Sequence, residues 1–214
     1  KLNNYKEAIE NYKLIIALKD ESCYPILRIG VCYEKLGDFK KAIENFNDCI
    51  EVDSQMNKAW YLLSNTYYKN QDYNNALLNI NKAIDINAEK EEYWKLYAKI
   101  NIGLSLYEEA DIGFQKIIEL GVADESIWIG KTDMLIKLGE YNYAIDILDE
   151  CYEIIEDKSI ISFRLSGIYF LQNKQEEGIL ELKKALSINN KNKYIFKELF
   201  NKVANYKYVQ NLLN

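Results

Sequence analysis

Gly130, Lys131 and Thr132 read as the tail of a phosphate-binding loop, where backbone N–H groups cradle phosphates and a lysine reaches them. Such a loop needs a glycine five residues before Gly130, and Glu125 stands there. The segment also lies inside a helical pattern rather than after a strand, so nucleotide binding is set aside. Neighbouring carboxylates occur at Glu91-Glu92, Glu108-Glu109 and Glu176-Glu177. A catalytic pair needs a shared cleft. At helix starts these side chains instead complement the helix dipole and face water. Cys23, Cys32, Cys49 and Cys151 include no CxxC pair. A cysteine nucleophile needs a base, and the chain has no histidine. The same lack excludes Ser-His-Asp catalysis and any His-ligated metal. We therefore expect no catalytic residue, no cofactor, no metal site and no enzyme activity.

Composition narrows the partners. Across 214 residues, 27 Lys+Arg stand against 33 Asp+Glu, for a net charge of −6. A phosphate-backbone binder needs a basic face, so no nucleic acid partner is expected. No apolar run approaches the roughly 20 residues that span a bilayer, so no membrane insertion is expected. Four cysteines do not make a disulfide framework and suit a reducing cytoplasm. One proline and nine glycines favour helices over a β-sandwich, which needs frequent turn residues.

The elements that position any site emerge from a period of 34. Ala8, Ala42, Ala76, Ala110, Ala144 and Gly178 form one row. Four residues on stand Tyr12, Phe46, Ile80, Phe114, Leu148 and Leu182, all large and apolar. Sixteen before the alanines lie Ile26, Trp60, Trp94, Trp128, Ser162 and Phe196. The register never slips. Within one unit, Trp60, Leu63, Ser64 and Tyr67 follow i, i+3, i+4, i+7, a single helical stripe. Tyr73, Ala76, Leu77, Ile80, Ala83 and Ile84 make a second. Between such stripes lie "KLGDF" (35–39), "KNQDY" (69–73) and "KLGEY" (137–141). Gly37 and Gly139 stand where a helix C-terminus needs positive φ, and Asp38 and Asp72 where the next helix needs a cap. Each unit is helix, tight turn, helix, and must stack on its neighbours to cover its apolar faces. Small residues, including the row Gly30, Ser64, Ala98, Thr132 and Ser166, mark close helix crossings.

These motifs resemble the tetratricopeptide repeat family, whose pattern is W-x2-L-G-x2-Y, then A-x3-F, then Pro. "WYLLSNTY" (60–67) with Ala76, Ile80 and Ala83 is one match, and "ILRIGVCY" (26–33) with Ala42 and Phe46 another. The resemblance implies an all-α fold, a right-handed solenoid of stacked antiparallel helix pairs. Five full repeats are expected at 23–56, 57–90, 91–124, 125–158 and 159–192. Residues 1–22 then hold the second helix of a further repeat, so the sequence is expected to continue upstream. Residues 193–214 hold a terminal helix (about 194–204) and a short capping segment (206–213). The terminal proline of the pattern is missing from every unit, with Ser54, Ala88, Val122, Glu156 and Asn190 in its place. Looser packing is expected around Asn101, which replaces a tyrosine, and in the unit starting at Ser159.

In this family the first helix of each pair lines a concave groove that receives a peptide or partner segment. Carried over, the resemblance places Tyr24, Leu27, Lys58, Tyr61, Asn65, Tyr68, Lys95, Lys99, Ile129, Ile136, Phe163 and Phe170 along that groove. Two zones differ in chemistry. Tyr61, Asn65 and Tyr68 with Lys58, Lys95 and Lys99 form an aromatic and basic strip suited to an extended peptide with carboxylates. Ile129, Ile136, Ile160, Phe163 and Phe170 are expected to expose an apolar strip, the mark of a protein contact. The competing expectation is a groove filled by the protein itself. Chaperone-binding members of the family clamp a terminal carboxylate with Lys, Asn and Arg; only Lys95 and Arg164 fit that pattern, and neither required Asn is present. The expected function is a non-catalytic protein–protein interaction scaffold with a protein or peptide partner, and self-association as a further option. The alternative is an accessory module of a larger enzyme or secretion assembly.

Overall fold

The computed structural model describes residues 2–18, 22–121 and 124–214. Every regular element is helical, and the described residues include no strand. The chain divides into two compact units, Lys1–Val122 and Ala123–Asn214.

The first unit holds α1 (Leu2–Ala17), α2 (Tyr24–Leu36), α3 (Phe39–Val52), α4 (Asn57–Lys69), α5 (Tyr73–Ile86), α6 (Glu91–Gly103) and α7 (Tyr107–Glu119). α2 packs on α3, α4 on α5 and α6 on α7, and successive pairs meet through α3–α4 and α5–α6. The expected cap roles of Asp38 and Asp72 are realised: their carboxylates accept from the backbone N–H groups of Lys41 and Asn75. Proline is tolerated where it occurs, because Pro25 falls in the first turn of α2. Where the family pattern has its terminal proline, a tryptophan closes the junction. The Trp60 indole donates to the Ser54 carbonyl at 2.9 Å, and Trp94 donates to Ala88 at 2.8 Å.

The tight turns repeat their backbone. Gly37 and Gly139 have φ of 80° and 82°. Gln71, Ser105 and Asn173 stand at the same repeat position and adopt φ of 62°, 60° and 61°. At each, the N–H of the next residue reaches back to a carbonyl in the preceding helix, as Asp38 does to Tyr33 at 3.0 Å and Asp72 to Tyr67 at 3.0 Å. This is the closure that satisfies orphan carbonyls at a helix C-terminus.

The small residues sit at the crossings. Ala42, Ala76, Ala110 and Ala144 are wholly buried. A Cβ added to Gly30 would lie 2.6 Å from the Phe46 ring. The Ser64 hydroxyl donates to the Ala76 carbonyl at 2.7 Å across the pair, and Ser166 does the same to Gly178 at 2.7 Å. One repeat position thus recurs with the same bond in both units. Around the crossings Phe46, Ile80, Leu148 and Leu182 are fully buried, each removal from water contributing about 1.5–3 kcal/mol. Asn101 is buried as well; its amide donates to the Tyr97 carbonyl at 2.9 Å, while its Oδ1 has no partner among the described residues.

The second unit holds α8 (Glu125–Leu138), α9 (Tyr141–Glu150), α10 (Lys158–Leu171), α11 (Gln175–Asn189), a 3-10 turn (Asn190–Asn192), α12 (Lys193–Leu199), α13 (Asn201–Ala204) and α14 (Lys207–Leu213). The single helix expected near 194–204 is broken at Phe200, whose φ is −123° and ψ 44°. The break seats the Phe200 ring against Gly167, where an added Cβ would collide with it. α14 returns to pack on α11 and buries Val209 and Leu213.

Candidate functional site

Seven side chains of the first unit surround one depression of about 190 Å³: Tyr61, Asn65 and Tyr68 from α4, and Glu92, Lys95, Leu96 and Lys99 from α6. Spacings of four and three residues on α4, and of three, one and three on α6, set each group on one helical face. The structure therefore brings together Tyr61, Asn65, Tyr68, Lys95 and Lys99, with Leu96 added as an apolar floor. Lys58 is exposed outside this lining.

Packing holds the aromatic wall in place. The Tyr61 ring stacks on Tyr93 at 5.0 Å and 26°, and the Tyr93 hydroxyl donates to Asn57 at 2.9 Å. Tyr68 leans on Tyr73 at 5.8 Å. Burial raises the Tyr61 and Tyr68 phenols and pushes Tyr93 up to about 12, so all three remain neutral hydrogen-bond donors at ordinary pH. Lys95 lies 3.3 Å from Glu91. Lys99 is exposed, and the Asn65 side chain is half-buried and makes no hydrogen bond to another described residue. The depression thus offers a primary amide with both donor and acceptor, flanked by phenols and facing two ammonium groups.

The remaining expected groove residues lie elsewhere. Tyr24 is exposed, with the Arg28 guanidinium 4.8 Å over its ring and Nε donating to its hydroxyl at 2.9 Å. Leu27 is only 2% exposed; it shares a core cluster with Phe46, Ala59 and Leu63, because the next first helix covers it. Ile129 is half-buried. The exposed apolar strip expected in the second unit does not exist: Ile136, Phe163 and Phe170 are 5%, 0% and 6% exposed. The reason is tertiary. α10 is enclosed by α9, α11, α12 and α13. Phe170 meets the Phe196 and Tyr208 rings at 6.2 and 6.1 Å. This face is filled by the chain's own C-terminal helices.

Two ion pairs escaped the sequence reading. Lys69 bonds the buried Glu34 carboxylate, and Arg164 grips Asp133 through two hydrogen bonds. Both join first helices of consecutive repeats, at separations of 35 and 31 residues. A spacing within a few residues of 34 between opposite charges was the available signal. Arg164, the one arginine suited to a carboxylate clamp, is already engaged. Among the described residues, no three His, Cys, Asp or Glu side chains gather as metal ligands. No described helix is long and apolar enough to cross a membrane.

Comparison with known proteins agrees with this fold. Residues 35–100 match the tetratricopeptide repeat family. No curated protein matches the sequence. Among solved structures, YrrB, described as a TPR protein with an unusual peptide-binding site, aligns with a TM-score of 0.75 at 17% identity, over 92% of this chain and 100% of its own. A MamA protein aligns with a TM-score of 0.71 at 19% identity, over 87% and 96% of the two chains. PilF of Pseudomonas aeruginosa aligns at 0.68 and 13% identity, over 94% and 90%. Residues 35–100 are thus similar to tetratricopeptide repeats, and the chain has the fold of tetratricopeptide repeat proteins.

Proposed function

We propose that this protein is a non-catalytic interaction scaffold that holds an extended peptide segment of a protein partner against α4 and α6. The observation that carries the reading is the half-buried, unbonded Asn65 amide, set between Tyr61 and Tyr68 and opposite Lys95 and Lys99. An extended backbone presents one N–H and one C=O that a primary amide can pair with, while carboxylates on the same segment meet the lysines. The peptide-binding site ascribed to YrrB supports the reading by likeness of fold. Four free, buried cysteines support a reducing compartment.

Selection of a random-sequence peptide library on the 214-residue chain tests this. Peptides rich in Asp or Glu should be enriched, and Asn65→Ala and Tyr68→Ala should each abolish their binding with the helical circular dichroism spectrum retained. Enriched peptides that bind both variants as well as the parent chain would overturn the site.

A further inference from the structure

Three of the six sulfur atoms of this chain converge on one point of the first unit. The Cys23 thiol donates to the Met56 thioether at 3.3 Å, and the Cys49 thiol lies 3.6 Å from the same sulfur. The chain has four cysteines and two methionines in all. The repeat pattern does not ask for this. Position 49 corresponds to Ala83 and Ile117, position 23 to Asn57 and Glu91, and position 56 to Lys90 and Asp124. Sulfur occupies all three positions in one repeat alone, and Met56 stands in a row that is otherwise polar, with Lys90, Asp124, Lys158 and Asn192.

We propose that Cys23, Cys49 and Met56 form a binding site for a soft monovalent metal ion, Cu(I). Thiolate and thioether donors select such an ion over hard cations. Zinc sites by contrast close with four tetrahedral ligands of nitrogen, sulfur or carboxylate oxygen. With a metal–sulfur bond of about 2.3 Å, a trigonal plane places its sulfurs roughly 4.0 Å apart. The observed separations need only a slight opening. Met56 can supply it, since it is half-buried and follows the exposed residues Asp53–Gln55 between α3 and α4. The surround is apolar: Leu27, Ala42, Phe46, Ala59 and Leu63 share the cluster with both cysteines. Burial raises the Cys49 thiol, so in the metal-free protein it stays protonated and inert as a nucleophile. Binding is a proton-for-metal exchange, in which two thiols and Cu(I) yield a bis-thiolate copper complex and two protons, the thioether donating a lone pair. No electron is transferred. The site lies away from the α4–α6 depression and stands independently of the peptide-binding reading.

Anaerobic titration with Cu(I) held by the chromogenic chelator bicinchoninate tests the site. One equivalent per chain should be withdrawn from the chelator. Cys49→Ala should fold, because alanine already occupies that row at Ala83 and Ala185, and should lose the competition along with Cys23→Ala. Met56→Leu keeps the volume and should weaken binding on the order of tenfold or more, since losing even an outer-shell partner costs about 10–100-fold. Cys32→Ala with Cys151→Ala should bind as the parent does. Equal copper withdrawal by Cys49→Ala and the parent would overturn the proposal. So would no withdrawal by the folded parent, or a Cys23–Cys49 disulfide formed with no copper retained.

Discussion

Arg164 and Asp133 are locked together by two parallel hydrogen bonds, Nε to Oδ1 at 2.7 Å and Nη2 to Oδ2 at 3.0 Å. The arginine side chain is only 4% exposed, and its remaining nitrogen donates to the Ile160 carbonyl at 3.0 Å. Truncating the acid leaves a buried guanidinium without its counter-charge. Asp133→Ala should therefore lower unfolding stability by about 3 kcal/mol, the lower end of the range for breaking a buried pair. Urea denaturation measures it. A loss below ~1 kcal/mol would show that water reaches Arg164 and replaces the acid.

Phe163 belongs to the core of the second unit rather than to a recognition surface. Phe163→Ala should cost about 3–5 kcal/mol by opening a cavity. Thermal unfolding followed by circular dichroism would record the drop. A variant as stable as the parent would restore Phe163 to the surface.

The turn row Gly37, Gln71, Ser105, Gly139 and Asn173 shares one left-handed backbone, yet three of the five are not glycine. A side chain there costs about 1–2 kcal/mol. Gln71→Gly and Ser105→Gly should each stabilise the protein by up to ~1 kcal/mol, part of the gain being lost to the freer unfolded chain. Chemical denaturation of the two variants checks the sign.

Asp157 caps α10 and accepts from the Ser159 backbone at 3.0 Å, Asn189 at 2.7 Å and Asn192 at 2.9 Å. Hydrogen bonding from the Ser159 side chain leads in holding its carboxyl below the ordinary value of 3.8, with Asn189, the Ser159 backbone and Asn192 adding to it. A depressed folded-state pKa contributes stability that is present above the unfolded value and disappears as pH falls through the folded one. Asp157→Asn should thus flatten the acid limb of the stability profile below about pH 4 and leave the neutral-to-alkaline slope unchanged. A parent and variant with parallel acid limbs would contradict it.

How much of this was legible beforehand differs by residue. The 34-residue register, the helix pairs, the caps at Asp38 and Asp72 and the buried alanine row all follow from near-neighbour rules. Helical periodicity, capping chemistry and turn geometry act within one unit and are written in order along the chain. The five lining residues Tyr61, Asn65, Tyr68, Lys95 and Lys99 were nameable for the same reason, since each sits at a fixed offset from the packing stripe. Leu27, Ile136, Phe163 and Phe170 occupy the same offsets, yet the structure buries them. Their environment depends on what else arrives at that face, and in the second unit α12 to α14 arrive there, with Phe196, Phe200 and Tyr208 filling the space. The meeting of Cys23, Cys49 and Met56 was hidden for a like reason: the sulfurs come from a helix start, a helix end and a connecting turn. Periodicity specifies which face a side chain takes. Only the folded chain decides whether that face meets water, a neighbouring helix or another sulfur.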